Sequence, residues 1–254
     1  MAGELHQRGV AGLRLEIELF GSSMPGRVIR RPGVVASVSP LTPHRSIFNS
    51  LTAANADALA DSIDELEAVY RSAGVHAWTV WVPDYDRQSP KLLEARGHVL
   101  DGSPRSMGLE LEDLRIPGQD LPAGAEVVEI GTAETGRIND LAYGIEGPGW
   151  EMAIGPEPDL RVHALAVEVG GEPVSCAIAI DGGDDVCITG VATAPGHRGT
   201  GLAAAVVARL LVDGRDRGMQ TATLQASRAG APVYERLGFS DVGFIELWEL
   251  REPA

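Results

Sequence analysis

The chain has little cysteine, no long apolar run and no surplus of basic charge, and each shortage removes a class of protein. Only Cys176 and Cys187 occur among 254 residues, each within an alternating apolar segment and not in a close metal-type or redox spacing. That pattern predicts buried thiols and argues against a disulfide framework. No stretch approaches the roughly 18 apolar residues that a membrane helix needs. The opening residues, Met1 to Arg8, lack the basic start and apolar stretch of a secretory signal. A soluble, cytoplasmic protein is expected. The formal net charge of −15 opposes attraction to phosphate backbones and to acidic membranes, so neither nucleic acid nor membrane is expected as a partner. The same charge suits a cationic acceptor, and it equally suits acid carried for solubility.

What is present points to a mixed α/β chain of two domains. Leu114 to Gly124 (LRIPGQDLPAG) holds two prolines and two glycines and reads as a linker. The expected division is residues 1–115, a linker at 116–124, and residues 125–254. In the second part, Glu126 to Ile130 reads as a strand and Thr132 to Tyr143 as a helix with Thr132 as its N-cap. His163 to Val169 and Val174 to Ile180 read as a hairpin around Gly170-Gly171-Glu172-Pro173, followed by the strand Val186 to Thr193. From Leu202 the apolar period changes to that of a helix, with Leu202, Val206 and Leu210 in line and Gly218 as the stop. A strand at Thr221 to Leu224, a short helix around Pro232 to Leu237, and a strand pair around Phe239 and Ile245 to Leu250 complete the order.

The richest stretch runs Val191-Ala192-Thr193-Ala194-Pro195-Gly196-His197-Arg198-Gly199-Thr200-Gly201-Leu202-Ala203, from a strand through a turn into a helix. Gly199 and Gly201 clear side chains from the backbone, and Ala203 keeps the first helical turn slim. Unpaired N–H groups and the helix dipole then converge on one place, where an anion such as a pyrophosphate is favoured. Glycines that merely shape a tight corner are the alternative. No Gly-Lys-Ser/Thr end is present and the spacing is not that of the dinucleotide fingerprint. The segment resembles the acyl-CoA motif of the GNAT superfamily of N-acetyltransferases, Arg/Gln-x-x-Gly-x-Gly/Ala, with Arg198, Gly201 and Ala203 at the fixed positions. Downstream, Tyr234-Glu235-Arg236-Leu237-Gly238-Phe239 is similar to the second signature of that family, one helix and one strand further on.

The resemblance implies a fold and a chemistry. It implies tandem GNAT-like domains, each a mixed, mostly antiparallel sheet flanked by helices, with the catalytic one at 125–254. It implies acetyl-CoA as acyl donor, held by Val191, Ala192, Thr193, Arg198, Gly199, Thr200, Gly201, Leu202, Ala203, Ser227 and Gly230, without a metal. Ser227 stands where many relatives carry asparagine. Tyr234 is implied as the acid that protonates the leaving thiolate, the alternative being a core tyrosine with its hydroxyl at the rim. The acceptor is expected to be a small-molecule amine or a protein amino group attacking the thioester directly, so no protein nucleophile is needed.

Other residues carry weaker signals. Glu146 and Glu151 are candidates for the general base, and exposed carboxylates without that role are the alternative. Trp150 either lines an acceptor pocket or anchors its loop. His163 and His197 make no metal pair. A non-catalytic acyl-CoA-binding regulatory module is the competing reading, and oligomeric state, including a homodimer, is left open.

In the first part, Thr52 to Ala73 reads as an amphipathic helix with Leu59, Ile63, Leu66 and Tyr70 on one face. A strand at His76 to Val82, a helix at Ser89 to Arg96, and strands at Val99 to Leu100 and Ser106 to Leu111 follow. This order is similar to the later part of the same superfamily fold, but no glycine motif precedes the helix. A degenerate GNAT-like domain without cofactor is expected there, packing beside the second and walling part of the acceptor pocket.

Overall fold

The computed structural model describes residues 2–116, 118, 121–155 and 161–251. In the first half the order is α1 (Ala2–Phe20), β1 (Arg27–Arg31), β2 (Val34–Val38), β3 (Ser50–Ala53), α2 (Ala56–Ser72), β4 (Ala77–Pro83), α3 (Ser89–Ala95), β5 (Val99–Gly102) and β6 (Arg105–Glu110). The second half runs β7 (Ala125–Glu129), α4 (Thr132–Tyr143), α5 (Trp150–Ala153), β8 (Val162–Val169), β9 (Glu172–Gly182), β10 (Asp185–Thr193), α6 (Leu202–Asp216), β11 (Thr221–Ala226), α7 (Ala231–Leu237) and β12 (Ser240–Arg251). Pro117, Gln119 and Asp120 of the expected linker lie outside the described residues. Among the described residues no helix is long and apolar enough to cross a membrane.

The strands form one continuous sheet in the order β1-β2-β3-β4-β12-β6-β11-β10-β9-β8-β7, with β5 also paired to β12. Within it the halves repeat. In each half a parallel pair, β3–β4 or β10–β11, is joined by a crossover helix, α2 or α6, while the other pairings are antiparallel. The final strands are exchanged across the centre: β6 of the first half pairs with β11 (Leu224 opposite Met107), and β12 of the second pairs with β4 (Trp248 opposite Val80). The result is a mixed α/β tandem architecture whose halves are stitched by shared strands.

Strand alternation sends neighbouring side chains to opposite faces. Val186 and Ile188 join Leu202, Val206 and Leu210 of α6 in one core, while Cys187 between them faces α1. In the first half, Val80 and Val82 pack with Leu59, Ile63 and Leu66 of α2, and Trp81 with Leu13 and Ile17 of α1. Helices α2 and α6 therefore cover one face, and α1 lies across both halves on the other, with α4 beside it against β9 and β10.

Several expectations need correction. The helix expected from Thr52 begins at Ala56, because Thr52 belongs to β3 and Asn55 caps the helix, its side chain accepting from Ala58 N at 2.9 Å. Thr132 is not an N-cap: Gly131 holds that position, and the Thr132 hydroxyl donates to Gly155 O at 2.8 Å. The expected strand pair at the C-terminal end is one strand, β12, whose register shifts between Asp241 and Gly243 as it leaves β6 for β4. Helix α1 and strands β1 to β3 have no counterpart among the elements that the sequence pattern predicts. In α1 the glycines at 3, 9 and 12 lower helix propensity and hide the apolar period.

Candidate active site

Strands β10 and β11 are paired from Asp185 opposite Thr221 to Ile188 opposite Leu224 and then diverge, although β10 continues to Thr193 and β11 to Ala226. The divergence leaves the edges of both strands without each other as partners. A register shift between Thr189 and Ala192 in the β9–β10 ladder bends β10 away at this point. At its centre Gly190 has φ +59°, and its carbonyl accepts from Asn139 Nδ2 at 3.0 Å. The gap opens into a cleft of about 1530 Å³ that reaches from the α6 side of the sheet through to the α1 side.

The glycine turn forms one wall. Gly199 and Gly201 have φ of +76° and +87°, a region that side-chain-bearing residues rarely enter. Gly201 is the N-cap of α6, and no side chain hydrogen-bonds there. Ala205 N makes the first intrahelical bond, to Gly201 O at 3.0 Å. The N–H groups of the first turn are thus left for an external acceptor. In the first half the matching position at the start of α2 is filled by the chain itself: Asn55 caps it and Asp57 lies in the first turn. There the turn carries its own acceptors, and a further anion is disfavoured.

All twelve residues expected in the site, Val191 to Thr193 and Arg198 to Ala203 together with Ser227, Gly230 and Tyr234, line this cleft. Four polar side chains among them have local partners. The Thr193 and Ser175 hydroxyls share a hydrogen bond at 2.8 Å, and the Thr200 hydroxyl donates to His197 O at 2.6 Å. Arg198 donates to Thr193 O at 3.0 Å and to Ala142 O at 2.6 Å, tying the end of β10 to the end of α4. Ser227 Oγ accepts from Gly230 N at 3.1 Å and leaves its own hydrogen for another acceptor. Tyr234 is 8% exposed and packs edge-on to Phe239. A Cβ on Gly230 would lie 3.3 Å from its ring, so that glycine gives the tyrosine room. Burial, with Tyr143 nearby, raises the phenol well above its ordinary value and keeps it protonated.

The other side of the cleft is supplied largely by the first half through Glu16, Ile47, Trp81 and Pro104, with Trp150 opposite. Trp150 both lines the cleft and anchors its segment, meeting Phe20 and Phe48 edge-on with centroids 5.4 Å away. Glu146 and Glu151 are exposed and lie outside the cleft lining. Asp140 explains the local turn by accepting from Trp150 N at 2.8 Å and Glu151 N at 3.1 Å. His163 pairs with Asp181 at 3.2 Å, and His197 lines the cleft.

Among the described residues, the carboxylate that lines the cleft is Glu16, 6% exposed and hydrogen-bonded by the Thr189 hydroxyl. Its position in α1, a helix obscured by glycines, hid it from sequence reasoning. The one available signal is the spacing Leu5, Gly9, Gly12, Glu16, which places small residues and an acid on one helical stripe.

Residues 140–239, which contain the glycine turn, the splay and Tyr234, match the family model for the acetyltransferase (GNAT) family. They form a GNAT acetyltransferase domain. The fold of the whole chain is similar to that of a GCN5-related N-acetyltransferase from Kribbella flavida, with 18% identity, a TM-score of 0.67, and coverage of 96% of this chain and 97% of that one. It is also similar to a GCN5-related N-acetyltransferase from Sphaerobacter thermophilus (16% identity, TM-score 0.60, 87% of this chain and 82% of that one). A tandem GNAT protein from the clavulanic acid biosynthesis pathway aligns over 98% of this chain and 96% of its own, at 12% identity and a TM-score of 0.56. No curated protein matches the sequence.

Proposed function

We propose that the chain is an acetyl-CoA-dependent N-acetyltransferase whose donor site lies in the GNAT domain and whose acceptor is a primary amine. The observation that carries this reading is the uncapped start of α6 beside the β10–β11 splay, with a buried, protonated tyrosine lining the same cleft. The N–H groups of Leu202 and Ala203 suit a pyrophosphate, and the unpaired edge of β10 suits a pantetheine arm and the carbonyl next to it. Acetyl-CoA supplies the activated acyl group. Tyr234 donates to the leaving sulfur, its burial keeping the hydrogen on oxygen until charge develops beside it. The first half closes the acceptor side, and direct attack by the amine requires no protein nucleophile.

Calorimetric titration with acetyl-CoA tests the donor site, using Ala203→Glu as the control. A carboxylate in the first turn of a helix favours the helix dipole while filling and repelling an anion site. The expected outcome is binding by the wild type and at least a 100-fold loss in the variant at unchanged melting temperature. Tyr234→Phe is expected to retain binding and lose about 10²-fold or more in thiol release. Absence of acetyl-CoA binding by the wild type would overturn the proposal.

A further inference from the structure

Helix α1 lies unusually close to the sheet, and the reason is small residues on its inner stripe. A Cβ on Gly12 would lie 2.9 Å from Cys187 Cβ and 3.3 Å from Thr223 Oγ1, and one on Gly9 would lie 3.1 Å from Ser106 Oγ. One helical turn beyond Gly12 advances about 6 Å along the axis. Two residues along β10 from Cys187 advance about 6.6 Å and return to the same face. The two steps bring Glu16 against Thr189, where β10 has just parted from β11. The carboxylate thus reaches the splay from the face opposite α6.

Its surroundings are apolar. Its helix neighbours Leu13 and Ile17 pack with Trp81, while Leu15, Leu19 and Phe20 pack with Trp150. Ile47, Trp81 and Trp150 from these clusters continue into the cleft that Glu16 lines. A buried carboxylate with one neutral hydrogen-bond donor and no cation beside it is costly to ionise. Burial accordingly pushes its carboxyl up to about 7, with the Thr189 hydroxyl pulling the other way. Such a position is justified chemically when a cationic ligand arrives.

Resting on the transferase reading above, we propose that Glu16, carried in by α1 of the first half, binds the ammonium of the acceptor and takes its proton, and that the acceptor is a primary amine on an apolar body. Glu16 removes one proton from the ammonium, freeing the nitrogen lone pair. That pair forms the C–N bond to the acyl carbon as the C–S bond breaks, its electrons going to sulfur. The sulfur takes a proton from Tyr234, which regains one from the second amine hydrogen through solvent. The products are an amide, a thiol and one released proton, initially held by Glu16.

Most other charged groups on α1 and on the elements packed against it have partners of their own. Asp185 of β10 accepts from Thr221 and Thr223, both at 2.6 Å, and Asp181 of β9 pairs with Arg217 and His163. On β6 and β12, Arg105 binds Asp241, Glu246 accepts from Trp248, and Glu249 binds Arg251. On α1 itself His6 meets Asp84, Arg8 meets Glu4 and Asp184, and Glu18 meets Arg30. The Cys187 thiol, which senses the Glu16 charge, is pushed far up by burial and stays neutral.

The test measures thiol release from acetyl-CoA with phenethylamine, octylamine and spermidine, across pH 5.5–9, for wild type, Glu16→Gln and Thr189→Val. Glu16→Gln is expected to keep acetyl-CoA affinity within about 2-fold, lose about 10²–10⁴-fold in kcat with the two apolar amines, and lose the fall in rate that the wild type shows as pH drops through about 7, where its carboxylate becomes protonated. Thr189→Val removes the hydrogen bond that lowers the Glu16 pKa, so that fall moves to higher pH. A Glu16→Gln enzyme with wild-type kcat and pH profile overturns the role of Glu16 while leaving the transferase reading intact. Preference for spermidine overturns the apolar acceptor. A wild type that releases no thiol with any of the three overturns both readings.

Discussion

At the scale of single residues, the role proposed for Glu16 sets function against stability. Its folded pKa, pushed from 4.5 to about 7, is above its unfolded value, so the native state binds more protons between those pH values. Stability therefore falls as pH rises from about 4.5 to 7 and stays lowered above. At about 1.4 kcal/mol per unit, the cost of the ionised form is on the order of 3 kcal/mol. Glu16→Gln, which removes that charge, is expected to melt higher than the wild type at pH 8 and with no such advantage at pH 4. Equal differences at both pH values would show that the carboxyl does not titrate between them. The two thiols carry no comparable conflict: both are buried, and burial pushes Cys176 up to about 12. They act as small apolar groups, as their alternating apolar context indicated.

At the scale of elements, the fit of α1 to the sheet depends on the absence of a side chain. Gly12→Ala places a methyl group 2.9 Å from Cys187 Cβ, a distance the backbone must relieve by moving. The expected cost is about 1–3 kcal/mol by chemical denaturation, against a gain in intrinsic helix propensity of roughly 1 kcal/mol for the same change at an exposed site. Because the helix carries Glu16, the displacement is also expected to lower kcat more than acetyl-CoA affinity. A stabilised or fully active variant would mean that α1 does not need its close approach. Helices α2 and α6 make the converse comparison. Both follow the first strand of a parallel pair, yet Asn55 closes the start of one while Gly201 leaves the other open. A single capping side chain separates a helix end that is self-satisfied from one that can receive an anion.

At the scale of the whole molecule, the exchanged strands β6 and β12 make each half depend on the other. Removing β6 would expose the edge of β11, and removing β12 would expose β4. Helix α1 adds a second tie by covering both halves of the sheet. The full chain is accordingly expected to unfold in urea as one cooperative unit. Trp78, Trp81 and Trp248 report on the first-half sheet and far-UV circular dichroism on the whole, so their transitions should coincide. Residues 125–254 alone should fail to give a soluble monomer. Two separated transitions would contradict this coupling.

Local chemistry made much of the second half legible in the amino-acid order. The strand, glycine turn and helix from Val186 to Asp216 are set by periodicity and by backbone conformations that only Gly199 and Gly201 adopt easily, and those are nearest-neighbour effects. The same holds for the short helix bearing Tyr234, closed by Gly238 at φ +106°. What the order of residues left hidden is what depends on distance. The glycines of α1 read as helix breakers until the sheet is seen to need their lack of side chain. Glu16 reads as one of 36 acidic residues until the packing of α1 buries it beside Thr189. The partner of β11 comes from residue 105 onward, because strand pairing is decided by backbone edges that carry no mark of which half supplies them. Sequence alone determined the glycine-turn wall of this cleft, and tertiary structure decided the opposite wall, since a pocket built from remote segments has no local pattern to be read.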